Sequence, residues 1–443
     1  MLRPLTTSML WLIALAAPNA AAQRTAQTAA RPNIVLILMD DLGYGDLGSY
    51  GAPDARTPNI DRLAREGVKL TDFYSNGATC TPTRTGFITG RYQQRYGLEY
   101  PLGTFPADST RGLSPSASSL PQLLKAAGYA TGLVGKWHLG WKPEFHPHRH
   151  GFDRFWGFLG GYIDYYSNIG EFDRHDLFDG EMPTRDSAYL TDQITTHAVT
   201  FIEQHKGEPF FLEISYNATH WPFQRPNLES SRRGPPDGRD GTRTDYIAML
   251  ESADRGIGVI LDAIDRLRLA RNTLVIFTSD NGGEWLSRNA PLFHRKATLW
   301  EGGIRVPALF RWPARLPAGA VSKQVGITMD LTATLIAAAG ATPPATHHLE
   351  GIDLIPLLQA RRVVDRTLFW RIQSPMRSQR AIRRGKWKYM RDGTIELLFD
   401  LDTDPGERRD VTAVQSVMLP ELRRMLAAWE ADVDSSRAAL DRR

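Results

Sequence analysis

Between Asn33 and Asp41 the chain reads NIVLILMDD, six consecutive apolar residues that stop at two adjacent acids. A run this short and continuous, bounded by polar residues, reads as a strand buried on both faces. Such strands belong to mainly parallel sheets covered by helices. Three further runs repeat the pattern. Thr131 to Val134 ends in Gly135-Lys136-Trp137-His138, Pro209 to Tyr216 (PFFLEISY) in Asn217-Ala218-Thr219-His220, and Leu274 to Ser279 (LVIFTS) in Asp280-Asn281-Gly282-Gly283. Helical segments lie between them. Thr57-Pro58 offers a cap and a first-turn proline ahead of Ile60, Leu63 and Ala64. Leu120, Leu123, Leu124 and Ala127 form a second stripe, and residues 188–205, 244–268 and 330–339 read as further helices. The alternation predicts an α/β fold with a mainly parallel central sheet flanked by helices. Ligands of such sheets bind outside the carboxyl ends of the strands. All four polar clusters sit at such ends, so they are expected to converge on one site.

The chain changes character near residue 345, at Pro343-Pro344 and His347-His348. Residues 368–371, 380–390 and 395–401 read as short antiparallel strands with an exposed face carrying Lys386 and Lys388. Thr403 to Pro405 reads as a turn and residues 416–433 as an amphipathic helix. The expected organisation is a catalytic α/β domain over 32–345 and a small C-terminal α+β subdomain over 346–443. Gly234 to Gly241 reads as a polar surface loop.

Lys and Arg number 53 against 49 Asp and Glu, and a net charge of +4 spread over 443 residues is too weak and too scattered to suggest a nucleic-acid binder, and none is expected as a partner. Residues 1–22 (MLRPLTTSMLWLIALAAPNAAA) read as a secretory signal peptide: Arg3 is the basic region, Met9 to Ala17 the apolar region, and Ala20-Ala21-Ala22 the cleavage site. Residues 23–31 read as a polar linker. The expected location is periplasmic or secreted. No stable membrane anchor is expected, because no other apolar run reaches the length of a span. The single cysteine, Cys80, has no disulfide partner within the chain. It is either a small buried hydrophobe or a reactive or modified residue.

Cys80 opens the sequence Cys80-Thr81-Pro82-Thr83-Arg84. Pro82 suits a first helical turn, which places Cys80 near the positive end of a helix, where an anion is favoured, with Arg84 one turn on. On this C-x-P-x-R pattern the chain resembles the type I, formylglycine-dependent sulfatases of the alkaline phosphatase-like superfamily, of the arylsulfatase and N-acetylgalactosamine-sulfatase kind. Further motifs of that family follow in order. They are the paired acids Asp40-Asp41, the stretch GKWHLG at Gly135 to Gly140, His220-Trp221-Pro222, SDNG at Ser279 to Gly282, and Lys296 ahead of Glu301-Gly302-Gly303-Ile304-Arg305. The resemblance covers roughly residues 32–310, with a similar tail after it.

Asp40, Asp41, Asp280 and Asn281 are hard oxygen donors, which favour Ca²⁺ or Mg²⁺ over zinc. Acids at strand ends also serve as caps and turn residues, but two adjacent acids after a buried strand are costly unless a cation pairs them. The resemblance implies one divalent ion, Ca²⁺ in preference to Mg²⁺, with modified Cys80 as a further ligand. It also implies that a maturation enzyme converts Cys80 to formylglycine (3-oxoalanine), which works as its hydrate. A sulfate ester needs its charge neutralised and its leaving oxygen protonated. Arg84 and Lys136 then hold the nucleophile and the sulfate oxygens. His220 and Lys296 address the bridging oxygen, with His220 as the proton donor, and His138 deprotonates the second hydroxyl of the hydrate so that it collapses and expels sulfate. The substrate expected is a sulfated carbohydrate. An aryl sulfate, a phosphonate or phosphate ester handled by the same superfamily, and an inactive carbohydrate-binding relic stand as alternatives.

His146, His148 and His150 lie in a loop that, with Asp164, Tyr165 and Tyr166, is expected to wall the substrate pocket rather than bind a second metal. Trp141, Trp221 and Trp285 serve either as stacking platforms or as packing residues. Asn217-Ala218-Thr219 fits a glycosylation sequon but adjoins His220, and is read as unmodified.

Overall fold

The computed structural model describes residues 31–228, 241–374, 377–415 and 417–440. The stretches read as a signal peptide, as the linker up to residue 30 and as the Gly234 loop up to residue 240 lie outside the described residues. In chain order the strands are β1 (Asn33–Met39), β2 (Val68–Leu70), β3 (Phe73–Tyr74), β4 (Ala130–Lys136), β5 (Arg154–Phe158), β6 (Phe178–Asp179), β7 (Met182–Pro183), β8 (Phe210–Ser215), β9 (Thr273–Ser279), β10 (Ala308–Arg311), β11 (Ala320–Ser322), β12 (Gly326–Ile327), β13 (Thr367–Ser374), β14 (Arg377–Arg384), β15 (Trp387–Asp392) and β16 (Ile395–Asp400). The α-helices are α1 (Pro58–Glu66), α2 (Cys80–Thr89), α3 (Leu120–Ala126), α4 (Leu190–Gln204), α5 (Arg243–Arg266), α6 (Glu301–Ile304), α7 (Met329–Ala339), α8 (Ile355–Ala360) and α9 (Met418–Leu440).

The main sheet runs β11-β2-β10-β9-β1-β8-β4-β5-β6-β7. The four apolar runs of the sequence are its four adjacent central strands, β9, β1, β8 and β4, all parallel. β5 continues the parallel set beside β4, and β10 pairs antiparallel with β9. The strand period of two splits the run in β1 between two cores. Val35, Ile37 and Met39 pack with Ile60 of α1, Phe201 of α4 and Ile257 of α5 on one face. Ile34 and Leu36 pack with Phe87 of α2, Leu124 of α3 and Leu335 of α7 on the other. Burying both faces removes any need for a polar position, which is why the sequence shows no alternation.

β13 to β16 form a separate antiparallel sheet with α9 packed against it. Two expectations change here. Residues 380–390 are two strands, not one, because the chain reverses at Gly385, whose φ of 56° is left-handed and favours glycine. Lys388 does not stud an exposed face: it is buried between Glu301 (2.9 Å) and Glu407 (2.8 Å). The last helix also runs past residue 433, where Asp434 meets Arg371 at 2.8 Å; Asp432, just before, meets Arg95.

Candidate active site

The ends of the four central strands meet in one buried cluster. β1 delivers Asp40 and Asp41, β4 ends on Lys136 with His138 two residues on, the loop after β8 carries His220, and β9 is followed by Asp280 and Asn281. The backbone ties these ends together: Asp40 N–H donates to the Ala218 carbonyl (3.0 Å), Thr219 N–H to the Asp40 carbonyl (2.7 Å), and Asp280 N–H to the Met39 carbonyl (3.1 Å). Asp41 and His138 hold left-handed backbone, at φ 62° and 60°, a conformation that costs energy for residues with a β-carbon and persists where the surroundings impose it.

Cys80 is the first residue of α2, as the Pro82 reading predicts, and only 2% of it is exposed. Its Sγ lies 3.6 Å from Asp40 Oδ1. One turn on, Arg84 donates from Nε and Nη2 to Asp280 Oδ2 (3.1 and 3.0 Å) and from Nη1 to the Lys136 carbonyl and Ser215 Oγ. Lys136 Nζ sits 2.6 Å from Asp40 Oδ2, and Lys296 Nζ 2.8 Å from Asp41 Oδ2. Asn281 Nδ2 donates to Asp41 Oδ1 at 2.7 Å. Every sequence-derived site residue is therefore in the cluster or bonded to it, apart from His138, which lies beside it with Nε2 2.8 Å from the Leu102 carbonyl.

Three acids and three bases balance formally, yet the cluster is not electrostatically at rest. Burial, reinforced by Asp280 and Asp41, raises Asp40 to about 7 despite Lys136. Burial also opposes the charge of Asp41, but Lys296 and His220 hold it at about 2. Burial pushes the Cys80 thiol well up, with Asp280 adding to it. Burial and the charge of Lys136 push His138 well below its ordinary value. His220 is lowered by burial and Lys296, against Asp41.

A divalent cation fits this donor set. Ligand atoms of Asp40, Asp41, Cys80 and His220 all lie within 4.8 Å of one another. The Asn281 side-chain oxygen Oδ1 is buried with no partner among the described residues, and a buried acceptor beside carboxylates that resist ionisation suits a bound cation. The oxygen-rich set suits a hard ion.

The histidine loop forms no second metal cluster among the described residues. His146 Nε2 is spent on the Gly180 carbonyl and His148 Nδ1 on that of Phe152, while His150 packs on Trp137. Asp164, Tyr165 and Tyr166 do not wall the pocket as expected. All three are buried, and Tyr165 Oη donates toward the Asn217 and His220 carbonyls, so they brace the His220 loop from behind. Trp221 packs on Tyr162 and Trp141 on Phe172, whereas Trp285 lines an open cleft of about 470 Å³ beside Lys296. Asn217 is buried, leaving no room for a glycan.

Sequence reasoning missed Glu213. It stands in β8 between Leu36 and Leu133 and is buried; burial raises it to about 7, against the pull of Arg84. An acid inside the apolar run PFFLEISY was the available signal.

The family model described as Sulfatase matches residues 32–341, and one described as N-sulphoglucosamine sulphohydrolase, C-terminal, matches 291–429. The N-acetylgalactosamine-6-sulfatase of Canis lupus familiaris is 34% identical over 89% of this chain and 84% of its own length. That of Homo sapiens is 40% identical over 76% of this chain and 68% of its own. The crystal structure of Ps i-CgsB superposes with a TM-score of 0.84 at 33% identity, over 90% of this chain and 92% of that one, and the same protein has been solved in complex with k-i-k-neocarrahexaose.

Proposed function

The chain belongs to the sulfatase family, and from that premise we propose how its buried cluster hydrolyses a sulfate ester and which esters it takes. The observation that carries the reading is the convergence of Asp40, Asp41, Asp280, Arg84, Lys136, Lys296 and His220 on the sole cysteine at the start of α2. Asp40, Asp41, Asp280 and Asn281 would hold one divalent ion, Ca²⁺ before Mg²⁺, which when bound neutralises sulfate charge and acidifies a nearby hydroxyl. Conversion of Cys80 to formylglycine by a maturation enzyme, followed by addition of water to the aldehyde, would supply two hydroxyls on one carbon, one to attack sulfur and one to release the product.

The rest falls to the side chains. Arg84 fixes the Asp280 carboxylate from within α2 and so holds position 80 against the ligand set; two of its N–H groups converge on one buried oxygen, and removing one partner of such a pair costs about 3–5 kcal/mol. Lys136 and Lys296 present ammonium groups from opposite acids of the Asp40-Asp41 pair, where the charge of the sulfate oxygens is met. The Trp221 carbonyl accepts from His220 Nδ1 at 2.6 Å, which turns Nε2 toward Asp41 Oδ2 (3.7 Å), and only when the ring is charged would Nε2 carry a proton for the leaving oxygen. His138 donates from Nε2 to the Leu102 carbonyl, and its Nδ1 is buried without a partner, a neutral lone pair suited to a base.

A sulfated carbohydrate is the substrate best supported. Relatives are named as N-acetylgalactosamine-6-sulfatases, a structural neighbour is solved with an oligosaccharide, and the cleft beside Lys296 offers Tyr100, Phe105 and Trp285 as lining. The leader-like residues 1–22 support a periplasmic or secreted location. Sulfate release from a panel of sulfated oligosaccharides tests the substrate, and cleavage of aryl sulfates alone would overturn it. Cys80→Ala tests the nucleophile: turnover should fall by about 10³-fold or more with the melting temperature kept, and retained turnover would remove Cys80 from the mechanism.

A further inference from the structure

The cleft beside Lys296 carries positive charge that the chemistry above does not use. It runs from Thr79, next to Cys80, past Lys296 to the β13–β14 hairpin, and its charged lining is Glu99, Glu284, Arg295, Lys296, Arg371 and Arg377. Two of these cations are spoken for. Arg371 is matched by Glu99 (2.9 Å) and Asp434 (2.8 Å), and Lys296 by Asp41. Glu284 acts on Lys296 as well. Arg295 and Arg377 are exposed, and neither is in an ion pair among the described residues. Arg377 Nη1 donates to the Ala297 carbonyl at 2.7 Å, which pins the hairpin guanidinium to the loop that presents Arg295 and Lys296. His294 and Ala297, at the two ends of that loop segment, both hold left-handed backbone (φ 68° and 63°). His294 is pushed down by burial and then by Arg377 and Arg295, so the three groups crowd one another.

We propose that Arg295 and Arg377 form a subsite for a second anionic group, a sulfate or a carboxylate, on the same carbohydrate chain as the ester being cleaved. The proposal rests on the reading of the cluster as a sulfate-ester site acting on sugars, and adds that the preferred substrate is polyanionic. Asp392 opposes the two arginines at His294 without pairing either of them, and an arriving anion relieves the repulsion among the like charges. Guanidinium forks match sulfate and carboxylate oxygens in pairs. A contact tethered to the reacting ester also acts at high effective concentration, so it lowers KM without touching the chemistry.

The test compares three disaccharides of one backbone: singly sulfated, doubly sulfated, and singly sulfated with a uronate. Wild type should show a KM about tenfold lower on one or both doubly charged sugars, with the preferred one naming the second group as sulfate or carboxylate. The advantage should shrink as NaCl rises from about 50 to 300 mM. Arg295→Gln, which disturbs no bond, should bring the KM ratio toward one, and Arg295→Lys should restore part of it. Arg377→Gln should do the same, with an added kcat loss through Ala297. No preference in wild type, or a proportional loss on all three sugars in Arg295→Gln, overturns the subsite while leaving the sulfatase reading intact. A wild type that releases sulfate from aryl esters but from none of the sugars overturns the carbohydrate reading on which the subsite rests.

Discussion

Lys388→Met removes the cation from a fully buried acid–base–acid triad. Lys388 Nζ lies 2.9 Å from Glu301 and 2.8 Å from Glu407, and all three side chains are inaccessible to solvent. Breaking a buried pair by deleting one partner costs about 3–5 kcal/mol, because the other charge is left unmatched. Glu301 retains Arg305 (3.3 Å) and the Tyr74 hydroxyl (2.6 Å), so the orphan is Glu407. That carboxyl is already raised to about 7 by burial, against Lys388, with Glu301 adding to the rise, and loss of the lysine raises it further. The sign follows. A carboxyl whose folded value lies above its unfolded one is stabilising while protonated, and that contribution is lost as pH rises through the folded value. The cost of Lys388→Met is therefore smaller at pH 6, where Glu407 takes up a proton, and larger at pH 8, by about 1–2 kcal/mol. For 443 residues an unfolding entropy of ~2.1 cal/mol/K per residue converts each kcal/mol to about 1 °C. Thermal melts should drop by about 3–5 °C at pH 8 and less at pH 6. Adding Glu407→Gln should recover most of the loss. A variant that melts with wild type at pH 8, or a deficit that does not depend on pH, would refute the reasoning.

Asp280→Ala removes a proposed oxygen ligand and frees Arg84. Bound metal by elemental analysis should fall well below one ion per chain, and an unchanged content takes Asp280 off the ligand list. Glu213→Gln removes a buried carboxyl raised from 4.5 to about 7. Its contribution is full below about 4.5 and is lost as pH rises through about 7. The variant should thus be more stable than wild type at pH 8, by an upper bound of about 3 kcal/mol, and show a flatter profile between pH 5 and 8; parallel profiles would contradict this.

The core of the sheet was legible because β1, β4, β8 and β9 are buried on both faces and their apolar runs need no tertiary information to be seen. The site was legible for a related reason: a parallel sheet sends every such strand toward the same edge, so four polar endings point to one place. What stayed hidden depends on distant partners. Lys388 reads as a surface lysine until Glu301, 87 positions away, is brought beneath it. Tyr165 reads as a pocket wall until its hydroxyl is seen on the Asn217 and His220 carbonyls. β10 spans only four residues between Pro307 and Pro313 with Trp312, too short for a pattern, and is a strand because β2 and β9 pair with it on both sides. The split at Gly385 was readable in principle, since a glycine inside a strand pattern marks a bend.

The central claim is that Cys80 supplies the nucleophile in modified form. Mass spectrometry of the tryptic peptide Leu70 to Arg84, from protein made in a host with the maturation enzyme, tests it most directly. The account predicts the mass of the aldehyde or its hydrate at Cys80. An unmodified thiol in protein that releases sulfate from its ester would contradict it.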